Sequence, residues 1–331
     1  MSQSVLDLAD VKSRMLVIRN QPVLLDRDVV ELYGVETRVV NQAVKRNPER
    51  FPEGYILELT SDECSRSQIL TLNGKRGSNI KYLPHAFTER GQKAINVKRG
   101  DDVKIMAVSD LHGSLEGLDP RGADVVVVAG DLAPMKGWGI WHVNDQVKWI
   151  NKRFAAWCEA YPEIEFCVVP GNHDLFAQRS DVPTKVVWPK NVRFLVDRLT
   201  QVKGLIVAGS PWIPPINGHW AFETEDERDM ARRLDWLPEG LDILITHTPP
   251  RLSGSNIDVS LDTASPHFGS IALAEAIRRV RPRFHFCGHI HSGDHAPLTI
   301  EHGNGCTTVS RNVSRLNERY EVAYEPTWVE I

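Results

Sequence analysis

Five short segments of the sequence each close an apolar run: Asp110-Leu111-His112, Gly130-Asp131, Gly171-Asn172-His173-Asp174, Thr246-His247 and Gly288-His289-Ile290-His291. The apolar composition of those runs predicts buried strands at residues 103–108, 125–129, 166–169, 241–245 and 284–287. Helical patterns lie between them, at residues 143–159, 225–234 and 270–280. Strands that alternate with helices indicate an α/β fold, and in such folds a functional site forms where strands end.

The polar residues of these segments matter as a set. A single His or Asp at a strand end is more often a cap, a turn residue or a buried group that is already hydrogen-bonded. The ordered series Asp-x-His, Gly-Asp, Gly-Asn-His and Gly-His-x-His is not expected by chance, and it predicts a site for a pair of metal ions. Its mixture of imidazole, carboxylate and amide groups suits Mn, Fe or Zn better than Ca, and the choice among those three stays open.

The motif series resembles that of the calcineurin-like metallophosphoesterases, over about residues 101–331. Three further segments resemble the branch related to class III cyclic-nucleotide phosphodiesterases: Ser210-Pro211-Trp212, His247-Thr248-Pro249-Pro250 and Arg279-Val280-Arg281-Pro282. The resemblance implies two β-sheets packed as a sandwich with flanking helices. It also implies a metal-dependent phosphoesterase, which is a hydrolase acting on ester bonds.

The same resemblance implies a role for each residue of the series. One metal ion is expected to bind Asp110, His112, Asp131 and His291. The other is expected to bind Asp131, Asn172, His247 and His289. Asp131 would bridge the two ions, and a hydroxide held between them would attack phosphorus without a covalent intermediate. His173 is expected to be the general acid for the leaving group, so replacing it should slow turnover more than it weakens metal binding.

Two features near these motifs have alternative interpretations. Asp174 either supports His173 or a metal ligand, or it is a surface carboxylate that caps the following turn. The loop at residues 211–222 contains Trp212, Trp220 and Phe222, which would either stack on a nucleobase or pack against the core. For at least two of the three rings, core packing is the expectation.

Composition places the chain among soluble globular enzymes. Its 331 residues suggest two domains, with 42% hydrophobic and 25% charged residues. The first residues do not resemble a signal peptide, and no apolar run approaches the roughly 20 residues of a membrane span. The 5 cysteines show no pairing pattern, which is typical of a reducing compartment. We therefore expect a cytoplasmic protein with no membrane partner.

Charge divides the chain into two parts. Residues 1–100 carry 16 Lys and Arg against 12 Asp and Glu, whereas the remainder has a net charge of −8. Between Arg66 and Arg99 there are eight basic residues and a single acidic one, Glu89. A basic solvated face is the commoner explanation for such a patch, but it is also typical of nucleic-acid binders.

The order of elements in the first part favours nucleic acid. A β-hairpin is predicted at residues 17–25, helices at 26–33 and 39–44, and a strand at 55–59. Together with Glu31-Leu32-Tyr33-Gly34-Val35 and Pro84-His85-Ala86-Phe87-Thr88-Glu89, these elements resemble the phage-type ORF-six-N domain, a relative of KilA-N domains. That resemblance implies a small α+β domain of the phage antirepressor type that binds DNA. The predicted domains are therefore residues 1–100 and 101–331.

These observations predict a two-metal phosphodiesterase that hydrolyses nucleotide or nucleic-acid phosphodiesters and is targeted to DNA by its first domain. One alternative is a phosphomonoesterase, which is disfavoured because a monoester dianion calls for positive charge that the acidic second domain lacks. The other is a DNA-binding regulator whose second domain senses a metal or a nucleotide. A purely structural metal site has no need of a general acid, so the presence of His173 argues against the regulator hypothesis.

Overall fold

The computed structural model of the chain describes residues 15–19, 21–26, 28–29, 44, 54–60, 63, 85–88, 103–134, 140–178, 185–260, 267–303 and 305–331. Contacts divide the chain into two units, Met1–Arg99 and Gly100–Ile331. No helix among those residues is both long and apolar enough to cross a bilayer.

The first unit contains an antiparallel sheet of four short strands. They are β1 (Leu16–Ile18), β2 (Gln21–Leu25), β3 (Ile56–Glu58) and β4 (His85–Thr88), in the order β1-β2-β4-β3. The predicted hairpin and the predicted strand at 55–59 correspond to β1, β2 and β3. Buried side chains of Val23, Leu25 and Ala86 form the centre of its core. Of the two predicted helices, residues 39–43, 27 and 30–33 lie outside the described residues, and the remaining residues 26, 28, 29 and 44 are helical.

The described part of the second unit is an α/β sandwich of eleven strands and four α-helices. Its strands are β5 (Lys104–Val108), β6 (Val125–Ala129), β7 (Glu165–Val169), β8 (Val192–Phe194), β9 (Arg198–Val202), β10 (Leu205–Ser210), β11 (Ile243–Thr246), β12 (Phe284–Cys287), β13 (Leu298–Glu301), β14 (Thr307–Asn312) and β15 (Thr327–Glu330). Its helices are α1 (Ile140–Trp149), α2 (Ala155–Glu159), α3 (Glu227–Leu234) and α4 (Ile271–Val280). The predicted fold class, an α/β sandwich with flanking helices, is confirmed.

Two sheets form the sandwich. The first has the strand order β15-β5-β6-β7-β8, and the second has the order β13-β14-β12-β11-β10-β9. Strands β5 to β8 run parallel to one another, as do β10, β11, β12 and β14 in the other sheet. Parallel strands end at the same edge of a sheet, so the residues that follow them are brought together.

Three apolar layers hold the sandwich together. Alternate residues of β5, β6 and β7 meet those of β10, β11 and β12 in a layer that includes Val127, Ile245 and Phe286. The other faces of the two sheets are covered by α1 and α2 on one side and by α3 and α4 on the other. Strands buried on both faces read as continuous apolar runs, which is why they were predictable from sequence.

The helices begin and end near their predicted bounds. The predicted helix at 143–159 is a continuous helical stretch in which the turn Ile150–Phe154 between α1 and α2 is a π-helix. Ser270 caps α4 by accepting the N–H of Leu273 through its hydroxyl, and Asp226 caps α3 by accepting the N–H of Asp229. Such caps satisfy backbone donors that a helix leaves open at its first turn.

Candidate metal centre

All eight residues of the motif series follow strands at one edge of the sandwich. Asp110 and His112 follow β5, Asp131 follows β6, and Asn172 and His173 follow β7. His247 follows β11 in the second sheet, and His289 and His291 follow β12. Both sheets thus contribute to one cluster, and the strand ends bring together residues that are up to 181 positions apart in sequence.

Asp131 lies at the centre of this cluster. Its carboxylate oxygen Oδ2 is 3.3 Å from Nε2 of His247, 3.7 Å from Nε2 of His112 and 3.9 Å from Nε2 of His173. Its other oxygen, Oδ1, accepts the backbone N–H of His173 at 2.8 Å. Asp131 therefore faces residues from both predicted ligand sets, as a bridging carboxylate must.

Asp110 is fully buried and anchors the other part of the cluster. Its Oδ1 is 3.4 Å from Nε2 of His291, and its Oδ2 accepts the hydroxyl of Ser314 at 2.7 Å and the backbone N–H of His289 at 3.0 Å. Burial alone would raise the pKa of Asp110, but the hydrogen bond and the charge of His291 hold that pKa well below its usual range. The carboxylate is therefore ionised at neutral pH.

Backbone carbonyls orient two of the histidines. The Nδ1–H of His247 donates to the carbonyl of Ala129 at 2.9 Å, and the Nδ1–H of His291 donates to the carbonyl of Asn317 at 3.0 Å. These bonds direct the Nε2 atoms of both rings toward the cluster. Nε2 of His247 then lies 2.9 Å from the side-chain oxygen of Asn172, which is itself an acceptor.

The pKa values of the histidines show how the charge of the cluster is balanced. Burial lowers the pKa of His247 and of His291, but Asp131 raises the first and Asp110 the second, each to about 9. Burial dominates at His112 and His289, and it lowers their pKa values to about 4 and about 3. Two protons thus neutralise two buried carboxylates, which is a role that a divalent cation also fills.

Four of the predicted ligands have left-handed backbone. The φ angles are 54° at Asp110, 41° at His112, 49° at Asp131 and 71° at His289. Such angles are uncommon for residues with a Cβ atom, and strain of this kind concentrates at functional sites. The sharp turns let the chain leave a strand and place a polar side chain at its end.

Two glycines allow the strand-end loops to approach one another. A Cβ atom on Gly171 would lie 2.2 Å from Oδ1 of Asp131, and a Cβ atom on Gly288 would lie 2.3 Å from Oδ2 of Asp110. No side chain fits at either position without displacing a carboxylate. The glycines of the Gly-Asn-His and Gly-His-x-His motifs are therefore part of the site.

His173 is held firmly by its backbone and flanked by aromatic rings. Its carbonyl accepts a hydrogen bond from the side-chain amide of Gln146 on α1 at 2.7 Å. Its ring lies 4.3 Å from the ring of Trp220 and 4.8 Å, edge to face, from the ring of His112. The side chain is 16% exposed, so one side of it remains open to a substrate.

Asp174 is completely buried, so its interpretation as a surface carboxylate is wrong. Its two oxygens accept backbone N–H groups from Leu132 at 3.0 Å, Ala133 at 2.8 Å and Gly171 at 2.8 Å. Burial and the nearby charge of Asp131 raise the pKa of Asp174 to about 7. The carboxylate ties the loop that carries Asp131 to the loop that carries Asn172.

In the loop at residues 211–222, two of the three aromatic rings pack in the core, as expected. Phe222 is buried, and Trp212 packs in the core beside α3, where its N–H donates to Asp197 and the guanidinium of Arg233 covers its ring. Trp220 alone contacts the cluster, through His173. The carboxylate of Glu223 accepts the N–H groups of Ile216, Asn217, Gly218, His219 and Trp220, which shapes this loop.

Two residues near the cluster were missed from the sequence: Ser314 and Tyr320. The ring of Tyr320 lies 4.8 Å from that of His112 and 5.5 Å from that of His291. Ser314 and Tyr320 follow β14, whose sequence Thr-Thr-Val-Ser-Arg-Asn is mostly polar and did not register as a strand. The other residues were identified because each follows a predicted strand. Had β14 been recognised as a strand, the same criterion would have identified Ser314.

The geometry fits divalent metal ions. Within the described part of the chain, three groups of His and Asp side chains have ligand atoms within 4.8 Å of one another: Asp110, His112 and His291; His112, Asp131 and His173; and Asp110, Asp131 and His247. His289 belongs to none of these groups, and its ring lies 4.9 Å from the ring of His247. Nε2 of His112 is buried and makes no hydrogen bond. A buried nitrogen that faces the Asp131 carboxylate without a hydrogen-bond partner is well suited to a cation.

Curated relatives and a solved structure share part of their length with this chain. Human metallophosphoesterase domain-containing protein 1 is 27% identical over 213 residues, or 57% of this chain and 61% of that protein. A UPF0046 protein of Caenorhabditis elegans is 30% identical over 146 residues, or 43% of this chain and 33% of that protein. The chain thus spans less than two thirds of either relative. A solved structure described as a Staphylococcus aureus 5′-nucleotidase in complex with α-ketoglutarate is 12% identical, with a TM-score of 0.34, and the match covers 69% of this chain and 54% of that one.

Family models match both parts of the chain and confirm the resemblances to the ORF-six-N domain and to the calcineurin-like phosphoesterases. Residues 13–95 match the ORF6N domain. Residues 103–293, more than half of the chain, match the model of the calcineurin-like phosphoesterases. The chain belongs to the calcineurin-like phosphoesterase family.

Proposed function

We propose that this protein is a metal-dependent phosphodiesterase that hydrolyses nucleotide or nucleic-acid phosphodiesters in the cytoplasm. The observation that carries the proposal is the position of Asp131, whose one carboxylate oxygen lies within 4 Å of three imidazole nitrogens. A buried carboxylate surrounded by imidazole nitrogens and other oxygen donors is the arrangement that a two-metal hydrolase requires.

The proposed metal ligands fall into two sets that share Asp131. The first set comprises Asp110, His112, Asp131 and His291. The second comprises Asp131, Asn172, His247 and His289. Two divalent ions bound there, Mn, Fe or Zn, would acidify water to a nucleophile at neutral pH and offset the negative charge of the phosphoryl oxygens.

The role proposed for His173 is to protonate the leaving-group oxygen. Its N–H bond to Asp131 and the bond from Gln146 to its carbonyl fix the backbone beside the cluster. The ring is close to Asp131, at 3.9 Å, yet partly exposed, so it reaches both the cluster and a bound ester. General acids in this position typically contribute roughly 10²- to 10⁴-fold to the rate.

Charge supports a diester over a monoester. Residues 101–331 have a net charge of −8, and a diester carries one negative charge where a monoester carries two near neutral pH. Phosphomonoester hydrolysis is the second candidate because the cluster itself does not exclude it.

The test is hydrolysis of bis(p-nitrophenyl) phosphate and p-nitrophenyl phosphate by the full chain with Mn, beside the Asn172→Ala variant. We expect diester cleavage that the variant loses. Preference for the monoester would establish a phosphomonoesterase. Cleavage of neither ester would favour a DNA-binding regulator that senses a metal or a nucleotide.

Targeting to DNA is proposed for residues 1–100, from their net charge of +4 and the match to the ORF6N domain. Electrostatic binding to phosphates weakens steeply with salt. We expect the full chain to retard duplex DNA at low salt and to release it as salt rises. Lack of binding at low salt would remove DNA targeting from the proposal and leave the phosphodiesterase intact.

A further inference from the structure

The segment after β14 forms a turn, residues 316–322, that packs against the metal centre through Asn317 and Tyr320. Leu316 pairs with Val322, and the side-chain oxygen of Asn317 accepts the N–H groups of Arg319 and Glu321. Tyr320 sits near the tip with φ of 61°, a left-handed angle that is unfavourable for a residue with a Cβ atom. The turn therefore holds Tyr320 in a conformation that local sequence does not favour.

Three contacts fix this turn to the segment that carries His291. The carbonyl of Asn317 accepts the Nδ1–H of His291 at 3.0 Å, and the carboxylate of Glu318 accepts the hydroxyl of Ser292 at 2.7 Å. Beyond the turn, the ring of Tyr324 stacks on the ring of His295 with centroids 3.7 Å apart. The position of Tyr320 is thus coupled to the position of a predicted metal ligand.

The ring of Tyr320 remains accessible to a ligand although these contacts hold the turn in place. It is 55% exposed, although its ring contacts the rings of His112 and His291 edge to face. Trp220 contacts the cluster at a different histidine, His173. The metal centre is therefore flanked by two aromatic rings that come from different loops.

We propose that Tyr320 is a specificity-determining residue that stacks on a planar ring of the substrate, such as a nucleobase. The inference rests on the proposed function and deepens it, because it identifies what selects nucleotide esters over other phosphodiesters. A fixed, half-exposed aromatic ring beside a phosphate site binds a base through its π-face at little entropic cost. Trp220 packs against the proposed general acid, whereas Tyr320 packs against two predicted metal ligands. We therefore infer that Tyr320 meets the group that stays on phosphorus and not the leaving group.

Two substrates with the same leaving group isolate this interaction. The p-nitrophenyl ester of thymidine 5′-monophosphate retains a nucleoside on phosphorus, whereas methyl p-nitrophenyl phosphate retains a methyl group. The wild-type full chain with Mn should show a higher kcat/KM for the thymidine ester. In Tyr320→Ala, the ratio of the two kcat/KM values should fall roughly fivefold or more, while Tyr320→Phe keeps it. Trp328→Ala, which removes another exposed ring on β15, is the matched control and should leave the ratio unchanged.

A binding measurement separates this inference from the proposed function. Calorimetry with thymidine 5′-monophosphate and with methyl phosphate should give the nucleotide the lower Kd in wild type, and Tyr320→Ala should remove that preference. If Tyr320→Ala lost the binding preference for the nucleotide and the wild-type protein cleaved neither ester, the stacking role would be supported and the phosphodiesterase proposal contradicted. An unchanged ratio and an unchanged binding preference in Tyr320→Ala would overturn the stacking role.

Discussion

At the residue scale, His289 has a strained backbone conformation. Its φ of 71° is in the region that glycine adopts without penalty and alanine does not. We therefore expect the metal-free His289→Gly protein to be more stable than the His289→Ala protein by about 1 kcal/mol. Urea unfolding in the presence of a chelator measures the difference.

Glu275 supplies the control for this comparison, since it lies on the exposed face of α4. There, Glu275→Ala should be more stable than Glu275→Gly, again by about 1 kcal/mol, because helical backbone favours alanine. If the alanine variant were more stable than the glycine variant at both positions, the strained backbone at His289 would be contradicted.

The role of His173 is also decided by one side chain. Replacing it with glutamine removes a proton donor and leaves the backbone bonds that fix the loop. We expect His173→Gln to lower kcat by roughly 10²- to 10⁴-fold while the affinity for Mn changes much less. Steady-state kinetics and metal titration on the same preparation test this.

His219→Gln, an exposed change one residue from Trp220, is the control and should behave as wild type. A loss of metal affinity in His173→Gln that matches its loss of rate would show His173 to be a ligand. That outcome is a real alternative, because His173 shares a candidate group with His112 and Asp131.

At the scale of elements, Asp174 joins the loops after β6 and β7. Replacing it with asparagine puts an amide donor against three backbone donors, which leaves N–H groups of Leu132, Ala133 or Gly171 without a partner. We expect Asp174→Asn to lower the free energy of unfolding by about 1–3 kcal/mol and to weaken metal binding. Denaturation and metal titration measure the two effects.

Asp119→Asn, at an exposed carboxylate paired with Arg121, is the matched control and should cost little. If Asp174→Asn were as stable as this control and bound metal normally, the three hydrogen bonds to Asp174 would not hold the loops together.

His285 joins β11, β12 and β14 in the same sheet. Its ring lies 2.8 Å from the hydroxyl oxygen of Thr246 and 2.7 Å from that of Ser310, and burial lowers its pKa from 6.5 to about 3. Between these two values the unfolded chain binds a proton that the folded chain does not, so stability is full above pH 6.5 and is lost as the pH falls.

We expect His285→Gln to reduce the pH dependence of the unfolding free energy by up to about 1.4 kcal/mol per pH unit in this window. Urea unfolding of both proteins from pH 7 to pH 5 gives the slopes, with the chelator present in every sample. Equal slopes would mean that His285 takes up a proton in the folded protein.

At the scale of the whole molecule, the features that could be predicted from the sequence are those that depend on residues close together in the chain. The strands β5, β6, β7, β11 and β12 are apolar runs because they are buried on both faces, and the ligand residues follow them directly. Parallel pairing then brings the strand ends to one edge, so the membership of the cluster followed from pattern and fold class together. The N-terminal hairpin was predictable for the same reason, because its apolar residues and turn are adjacent in sequence.

Contacts between distant, polar segments were not predictable. Strand β14 is mostly polar and alternates buried residues with half-buried or exposed ones, so neither Ser314 nor the turn that holds Tyr320 was placed beside the site. Trp220 and Phe222 are alike in sequence, and only the fold shows that the first faces His173 while the second is buried. The burial of Asp174 likewise depends on two loops that meet only in the folded chain.

Metal stoichiometry tests the central claim most directly. The full chain, stripped with a chelator and titrated with Mn, should bind two ions, and Asp131→Ala should lose tight binding of both because its carboxylate is shared. Binding of two ions in wild type and their loss in the variant would establish the shared site. Absence of tight binding in wild type, or an unchanged stoichiometry in Asp131→Ala, would contradict it.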